Sequence, residues 1–480
     1  VQHIGNNAFE GCILLNNFTI ASNVETVGAF AFRNCESLNS LTINPSNFYL
    51  GPYAFQNTYI YNNATNNRTY SRDNWVLGYK NTTYANHANY PETWGLTGSL
   101  TSTHVPSGTI GIASGVFDGS RLSSIGNLPS SLKFIGDNAF SFIRTFEPGT
   151  VNITATIPDS VEHIGDYAFY KSRISTVNLS GSNLKYIGKY AFSDIQITSI
   201  TLRTSVEVID DYAFADNSGL GTFNYGTTTG GSLKVIGEGA FQNYTSLSSI
   251  SFNPNTIERI GKDAFLNTST YNAGTGARII RNWVMGFRGS ITGTQNFSNV
   301  RGFADYALEG GGVSTANIPS TTYYIGEGAF KGSQSLTTVT IGANVNYISP
   351  SAFENCNGLD SITINDGVKI IGEKAFYGSM TGSPTINFPN SVEIIEDSAF
   401  ENSSLYGINF SSSSNLTDIG HYAFKNSSLN SINLPNSLQS IGRYAFRDTN
   451  LYNNAANNSF VYTNNWAVDY KGTRSITSAT

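Results

Sequence analysis

A six-residue motif, Ile-Gly-x-x-Ala-Phe, returns along almost the whole 480-residue chain and limits its fold more than any other feature. It stands at 4–9, 135–140, 164–169, 187–192, 236–241, 260–265, 325–330, 371–376, 419–424 and 441–446. Degenerate copies end at Phe32, Phe55, Phe117, Phe214, Leu308, Phe353 and Phe400, and most neighbours lie 22 to 24 residues apart. A full unit reads Leu336-x-x-Val339-x-Ile341, then Val345-x-x-Ile348, then Ala352-Phe353. The alternation through Val339-Thr340-Ile341 predicts a short strand with one buried face. Gly-x-x-Ala-Phe has no strand period and predicts a tight turn or a single helical turn.

One strand in so short a unit cannot bury its own apolar face. Stacking the units solves this, with ladders of Leu, Val, Ile, Ala and Phe as a continuous core. The expected fold is a mainly β repeat solenoid, a curved array of roughly 20 coils with parallel strands, from 480 residues at about one coil per repeat. It is expected to fill residues 1–480 as one solenoid, with irregular inserts at 56–110, 266–303 and 447–480. Aromatic residues, 13% of the chain, recur at regular intervals, which argues against disorder. With 27 basic against 33 acidic residues and no basic cluster, nucleic acid is not an expected partner. No apolar run approaches the ~18–20 residues of a membrane span, so no membrane insertion is expected in this segment.

Leu-x-x-(Ile/Val)-x-(Ile/Leu), then Val-x-x-Ile-Gly-x-x-Ala-Phe with an occasional Cys, resembles the BspA-like, or Treponema pallidum-type, leucine-rich repeat. Pro follows the strand at Ile157-Pro158, Ile318-Pro319, Phe388-Pro389 and Leu434-Pro435, as in that family. The resemblance covers nearly the whole chain. It implies a curved leucine-rich solenoid on secreted or cell-surface proteins of bacteria and some protists, often regarded as adhesins or host-contact proteins. Val1 begins partway through a unit and neither end reads as a polar cap, so a fragment is expected, with signal and anchor outside it.

After Phe55, Phe265 and Phe446 the rhythm stops, and three related segments follow. They run from Asn57-Thr58 to Trp75-Val76-Leu77-Gly78, from Asn267-Thr268 to Trp283-Val284-Met285-Gly286, and from Tyr452-Asn453 to Trp466-Ala467-Val468. Two readings stand: Trp75, Trp283 and Trp466 plug the core beneath Asn-rich loops, or they form an exposed Trp/Tyr/Asn platform. The first insert is the longest and adds Tyr84, His87, Tyr90 and Trp94, which makes it the strongest candidate for a binding loop.

Three surface columns follow from the register. The strand face carries only hydroxyls and amides, among them Thr42, Asn178, Thr340, Thr363, Asn387 and Asn409, either to hold a partner or to bond to one another. Two residues before Ile-Gly, signs alternate through Lys133, Glu162, Lys185, Glu207, Lys234 and Glu258, which speaks for register. Tyr53, Tyr167, Tyr190, Tyr212, Tyr306, Tyr422 and Tyr444 precede Ala-Phe, as an aromatic stripe or as rings lying flat over the next turn.

Catalysis needs a convergent constellation. The histidines, His3, His87, His104, His163 and His421, stand at scattered coil positions and suggest neither triad nor metal cluster, and no cofactor is expected. Cys12, Cys35 and Cys356 share one register and read as small core residues, with a Cys12–Cys35 bridge left open. The expected function is a non-enzymatic, extracellular or cell-surface binding ectodomain, a monomer that contacts a host or matrix protein. The alternatives are a glycan-binding module built on the inserts and a spacer for a missing domain.

Overall fold

The computed structural model describes residues 1–44, 48–64, 68–80, 97–100, 104–126, 128–144, 153–179, 182–197, 199–219, 221–225, 231–464 and 466–472. The chain divides into two compact units, Val1–Ile257 with Asp263–Asn272, and Glu258–Lys262 with Ala273–Thr480. Each unit is a parallel β-solenoid, with about 17 turns in all. The expectation of roughly 20 is too high because the three inserts spend more than a repeat length each on something other than a coil.

Every regular coil carries two strands. In the second unit Thr338–Ile341 pairs in parallel with Ser361–Ile364, Val339 opposite Ile362 and Ile341 opposite Ile364. Further round the coil the two-residue strand Tyr347–Ile348 pairs with Ile370–Ile371. The first unit repeats this: Ile174–Asn178 lies beside Ser199–Thr201, and His163–Ile164 beside Tyr186–Ile187. The β-branched residues that alternate inward are those that fit a pleated, half-buried surface.

Of the two forms expected for Gly-x-x-Ala-Phe, the structure has turns. Their backbones still pair from coil to coil: the Phe169 amide donates to the Ala191 carbonyl at 2.8 Å, and Phe353 to Ala375 at 2.8 Å. Two left-handed residues flank each Ala-Phe, for example Tyr167 (φ 56°) and Lys171 (φ 52°), or Ser398 (φ 56°) and Asn402 (φ 60°). Gly and Asn reach this region most cheaply, which accounts for Asn34, Asn57, Gly332, Asn355 and Asn426 at the second site. The motif glycine has a different cause. A Cβ on Gly165 would lie 2.4 Å from Asp137 Oδ1 and 2.7 Å from Asp137 N, so only hydrogen lets the coils close.

The motif phenylalanines form three ring ladders at the strand spacing, the first running Phe9–Phe32–Phe55 at 5.0 and 5.2 Å. Phe140–Phe169, Phe169–Phe192 and Phe192–Phe214 have centroids 5.3, 5.1 and 5.4 Å apart, with planes within 8°. Phe330–Phe353 and Phe353–Phe376 repeat this at 5.1 and 5.2 Å. Cys35 and Cys356 occupy the expected core slot, their thiols donating to the carbonyls of Phe9 and Phe330. Burial pushes the Cys356 thiol up to about 12. Cys12, in the first described coil, departs from that reading: it is exposed, and all three thiols are free. No helix among the described residues is long and apolar enough to cross a membrane.

Candidate functional site

The departures from the repeat carry the irregular chemistry. Each insert opens with a single helical turn, Tyr59–Asn62, Ser269–Asn272 or Asn450–Asn454. The hydroxyls of Thr58, Thr268 and Thr449 cap these turns by accepting from the amides of Tyr61, Tyr271 and Tyr452 at 3.2, 3.1 and 3.1 Å. Each then forms an antiparallel hairpin, a local exception to the parallel stacking expected throughout: Arg68–Arg72 with Trp75–Lys80, Gly276–Ile280 with Trp283–Arg288, and Ser459–Thr463 with Trp466–Lys471. The turn residues are left-handed, Asp73 (φ 45°) with Asn74 (φ 66°) and Arg281 (φ 49°) with Asn282 (φ 64°), the backbone that two-residue hairpins prefer.

The second hairpin strand replaces the Ile-Gly strand of a coil. Trp75-Val76 pairs in parallel with Gly111-Ile112, and Trp283-Val284 with Gly302-Phe303. A Cβ on Gly111 would lie 2.2 Å from the Trp75 ring, and one on Gly302 2.5 Å from that of Trp283. Each indole thus lies over a glycine of the following coil. Trp75 and Trp283 are 2% and 1% exposed, so they plug the core and present no open platform. Trp466 is half-buried, and its hairpin shows an aromatic face instead, with Phe460 41% and Tyr462 61% exposed and Phe460 against Tyr470 at 5.3 Å. Tyr84, His87, Tyr90 and Trp94 lie outside the described residues.

The three surface columns pair in part from coil to coil. Along the strand face Asn409 Nδ2 donates to Asn387 Oδ1 at 2.8 Å and Asn317 to Asn296 at 2.6 Å. The charged column closes as Lys133–Glu162 (2.9 Å), Lys185–Glu207 (3.1 Å) and Lys234–Glu207 (2.9 Å). Both lysines hold the Glu207 carboxyl below its usual range. Tyr167, Tyr190 and Tyr212 stack at 4.9 Å per step, and Tyr212 lies flat over Gly239 while its hydroxyl donates to Glu238 at 2.5 Å.

Among the described residues, two concave places on the face of the two-residue strands stand out. The larger, about 540 Å³ in the second unit, is lined by Glu373, Glu396, Asp397, Asp418 and His421. Its polar groups serve its own backbone: Asp397 accepts from the His421 amide at 2.6 Å and His421 Nδ1 from the Arg443 amide at 2.7 Å. The smaller, about 380 Å³ in the first unit, lies beside the first hairpin, with Phe48, Tyr49, Trp75 and Phe134 against Glu25, Asp137 and His163. The Tyr49 hydroxyl donates to Asp137, whose Oδ1 also accepts the Asp166 amide at 2.8 Å. Burial pushes the Asp137 carboxyl up to about 6 and His163, stacked on Tyr186 at 4.5 Å, down to about 4. Among the described residues no three His, Cys, Asp or Glu side chains are placed to hold a metal. Tyr49, Asp137 and His163 stand at ordinary coil positions that announce no site, and Trp75 of the first hairpin lines the cleft with them.

No curated protein matches the chain. Solved structures similar to it include a leucine-rich repeat protein from Bacteroides ovatus, 19% identical over 93% of this chain and 80% of that one, TM-score 0.28. One from Eubacterium ventriosum is 17% identical over 78% of this chain and 93% of that one, TM-score 0.36. A leucine rich cell surface protein from Faecalibacterium prausnitzii is 18% identical over 86% and 83%, TM-score 0.28. The profile of the BspA type leucine rich repeat region matches residues 2–85, 87–220, 144–272, 301–416 and 369–479. These ranges take in most of the sequence, and the chain belongs to the BspA-type leucine-rich repeat family.

Proposed function

We propose that the chain is a binding ectodomain without catalytic activity, secreted or held at the cell surface, that contacts a host or matrix protein as a monomer. One observation carries this reading. The charged column and part of the strand face spend their polar groups on neighbouring coils, as in Lys133–Glu162 and Asn409–Asn387, and what remains there is uniform from coil to coil, so specificity falls to the inserts. The first insert, with Tyr84, His87, Tyr90 and Trp94, supplies the aromatic content that interface cores favour. The test is deletion of residues 82–95, which stops short of Thr97–Ser99 because that strand pairs with Arg121–Ser124. Binding of the purified chain to cells or matrix proteins should be lost while the melting temperature holds. Retained binding would move the site to the strand face.

A second reading, glycan binding, is favoured by the exposed Phe460 and Tyr462 on the Trp466 hairpin, since sugar rings pack on such faces. A glycan array with the Tyr462→Ala variant separates the two.

A further inference from the structure

The two inserts that are covered by following coils can be compared position by position. The coil before each insert places one residue ahead of its core aliphatic, Tyr49 before Leu50 in the first unit and Arg259 before Ile260 in the second. Two coils beyond the hairpin stand Phe134 and Tyr324 at matching places. In the second unit the Arg259 guanidinium bonds Asp305 Oδ2 through Nε and Nη2, each at 2.7 Å, and the Tyr324 hydroxyl donates to Oδ1 at 2.9 Å. Asp305 is 2% exposed, so a resident cation answers a buried carboxylate.

The first unit keeps a phenol–carboxyl pair, Tyr49 with Asp137, the acid now coming from the coil after next. It has no cation. Tyr49 stands where Arg259 would, and among the described residues no Lys or Arg pairs with Asp137. Space remains instead, about 380 Å³, lined by Phe48, Trp75 and Phe134, whose rings pack on one another, with Glu25 as a second acid. Trp75, which lines it, has an indole Nε1 without a hydrogen-bond partner. Aromatic faces beside a carboxylate are what a planar cation prefers, and guanidinium stacks and bonds bidentately where an ammonium cannot.

We propose that this cleft receives an arginine side chain of a partner polypeptide, whose guanidinium pairs with Asp137 beside the packed rings, as Arg259 pairs with Asp305 in the second unit. The inference rests on the reading of the chain as a protein-binding ectodomain and names the chemistry of one contact.

The test titrates the full chain with acetyl-Gly-Arg-Gly-amide and with its neutral citrulline counterpart, read by tryptophan fluorescence and by calorimetry. The arginine peptide should saturate, and the citrulline peptide should bind at least about tenfold more weakly, since charge-assisted bidentate bonds are lost. Asp137→Asn should weaken the arginine peptide by a similar factor. Tyr49→Arg, which supplies a resident guanidinium, should abolish binding without unfolding the chain. Equal binding of both peptides, no binding up to about 10 mM, or unchanged binding by Tyr49→Arg would overturn the proposal. Loss of cell binding on deleting residues 82–95 is a separate readout, so failure of the peptide titration leaves the broader reading to be judged on its own.

Discussion

At the residue scale, one atom often decides whether coils can close. Phe192 sits in a ladder between Phe169 and Phe214 and is fully buried. Phe192→Ala should cost about 3–5 kcal/mol, read as a drop in the urea midpoint; wild-type stability would mean the ring is not in the core. Gly302→Val should cost about 1–3 kcal/mol, because the Trp283 ring occupies the space its side chain needs. The cleft also makes a pH prediction. His163 titrates at about 4 in the fold against 6.5 in the unfolded chain, so its contribution is whole above 6.5 and is lost as pH falls towards 4. Asp137, raised from 3.8 to about 6, acts oppositely: its contribution is whole below 3.8 and is lost as pH rises through 6. Between about pH 4.5 and about pH 6 the two slopes oppose. His163→Gln should therefore make stability fall more with rising pH across that window than in the wild type. Equal slopes for both proteins would contradict the assignment.

Among elements, the hairpins are held by turn chemistry and by the indole beneath them. Asn282 is left-handed, where a β-branched residue is strained by about 1–2 kcal/mol. Asn282→Val should lower stability by that order and speed amide exchange through Gly276–Ile280, the outer strand of the second hairpin. Exchange unchanged in that strand would show that the turn does not set the hairpin. The coil turns carry strain of the same kind at Tyr167, Tyr190 and Tyr212, all left-handed, which ring stacking at 4.9 Å offsets.

For the whole molecule, solenoid stability is close to a sum over neighbouring coils. Phe376→Ala in the second unit should raise amide exchange in the adjoining coils, around Phe353 and Phe400, and leave the ladder from Phe140 to Phe214 protected. A uniform rise through both units would mean that the chain unfolds as one cooperative body. The family assignment belongs to this scale too, since it rests on a profile matched along the chain rather than on any one site.

The repeat made the coil legible because its signals are local: alternation sets the strand, an aliphatic sets the core face, and stacking is forced by a unit too small to bury itself. Even the sign alternation from Lys133 to Lys234 anticipated the pairs that form. Three things waited for the tertiary structure. The motif glycine and Gly111 are required by atoms from other coils, Asp137 and Trp75, which no local pattern announces. Trp75 and Trp283, on the inner strands, go into the core, whereas Phe460 and Tyr462, on the outer strand of the third hairpin, stay exposed, a division that strand pairing and not composition sets. The cleft at Asp137 draws its walls from coils far apart in sequence, from Glu25 to His163, with Trp75 of the hairpin among them. Periodicity records what each coil must do to stack, whereas a site depends on where the stacking is interrupted, and that is decided by packing in three dimensions.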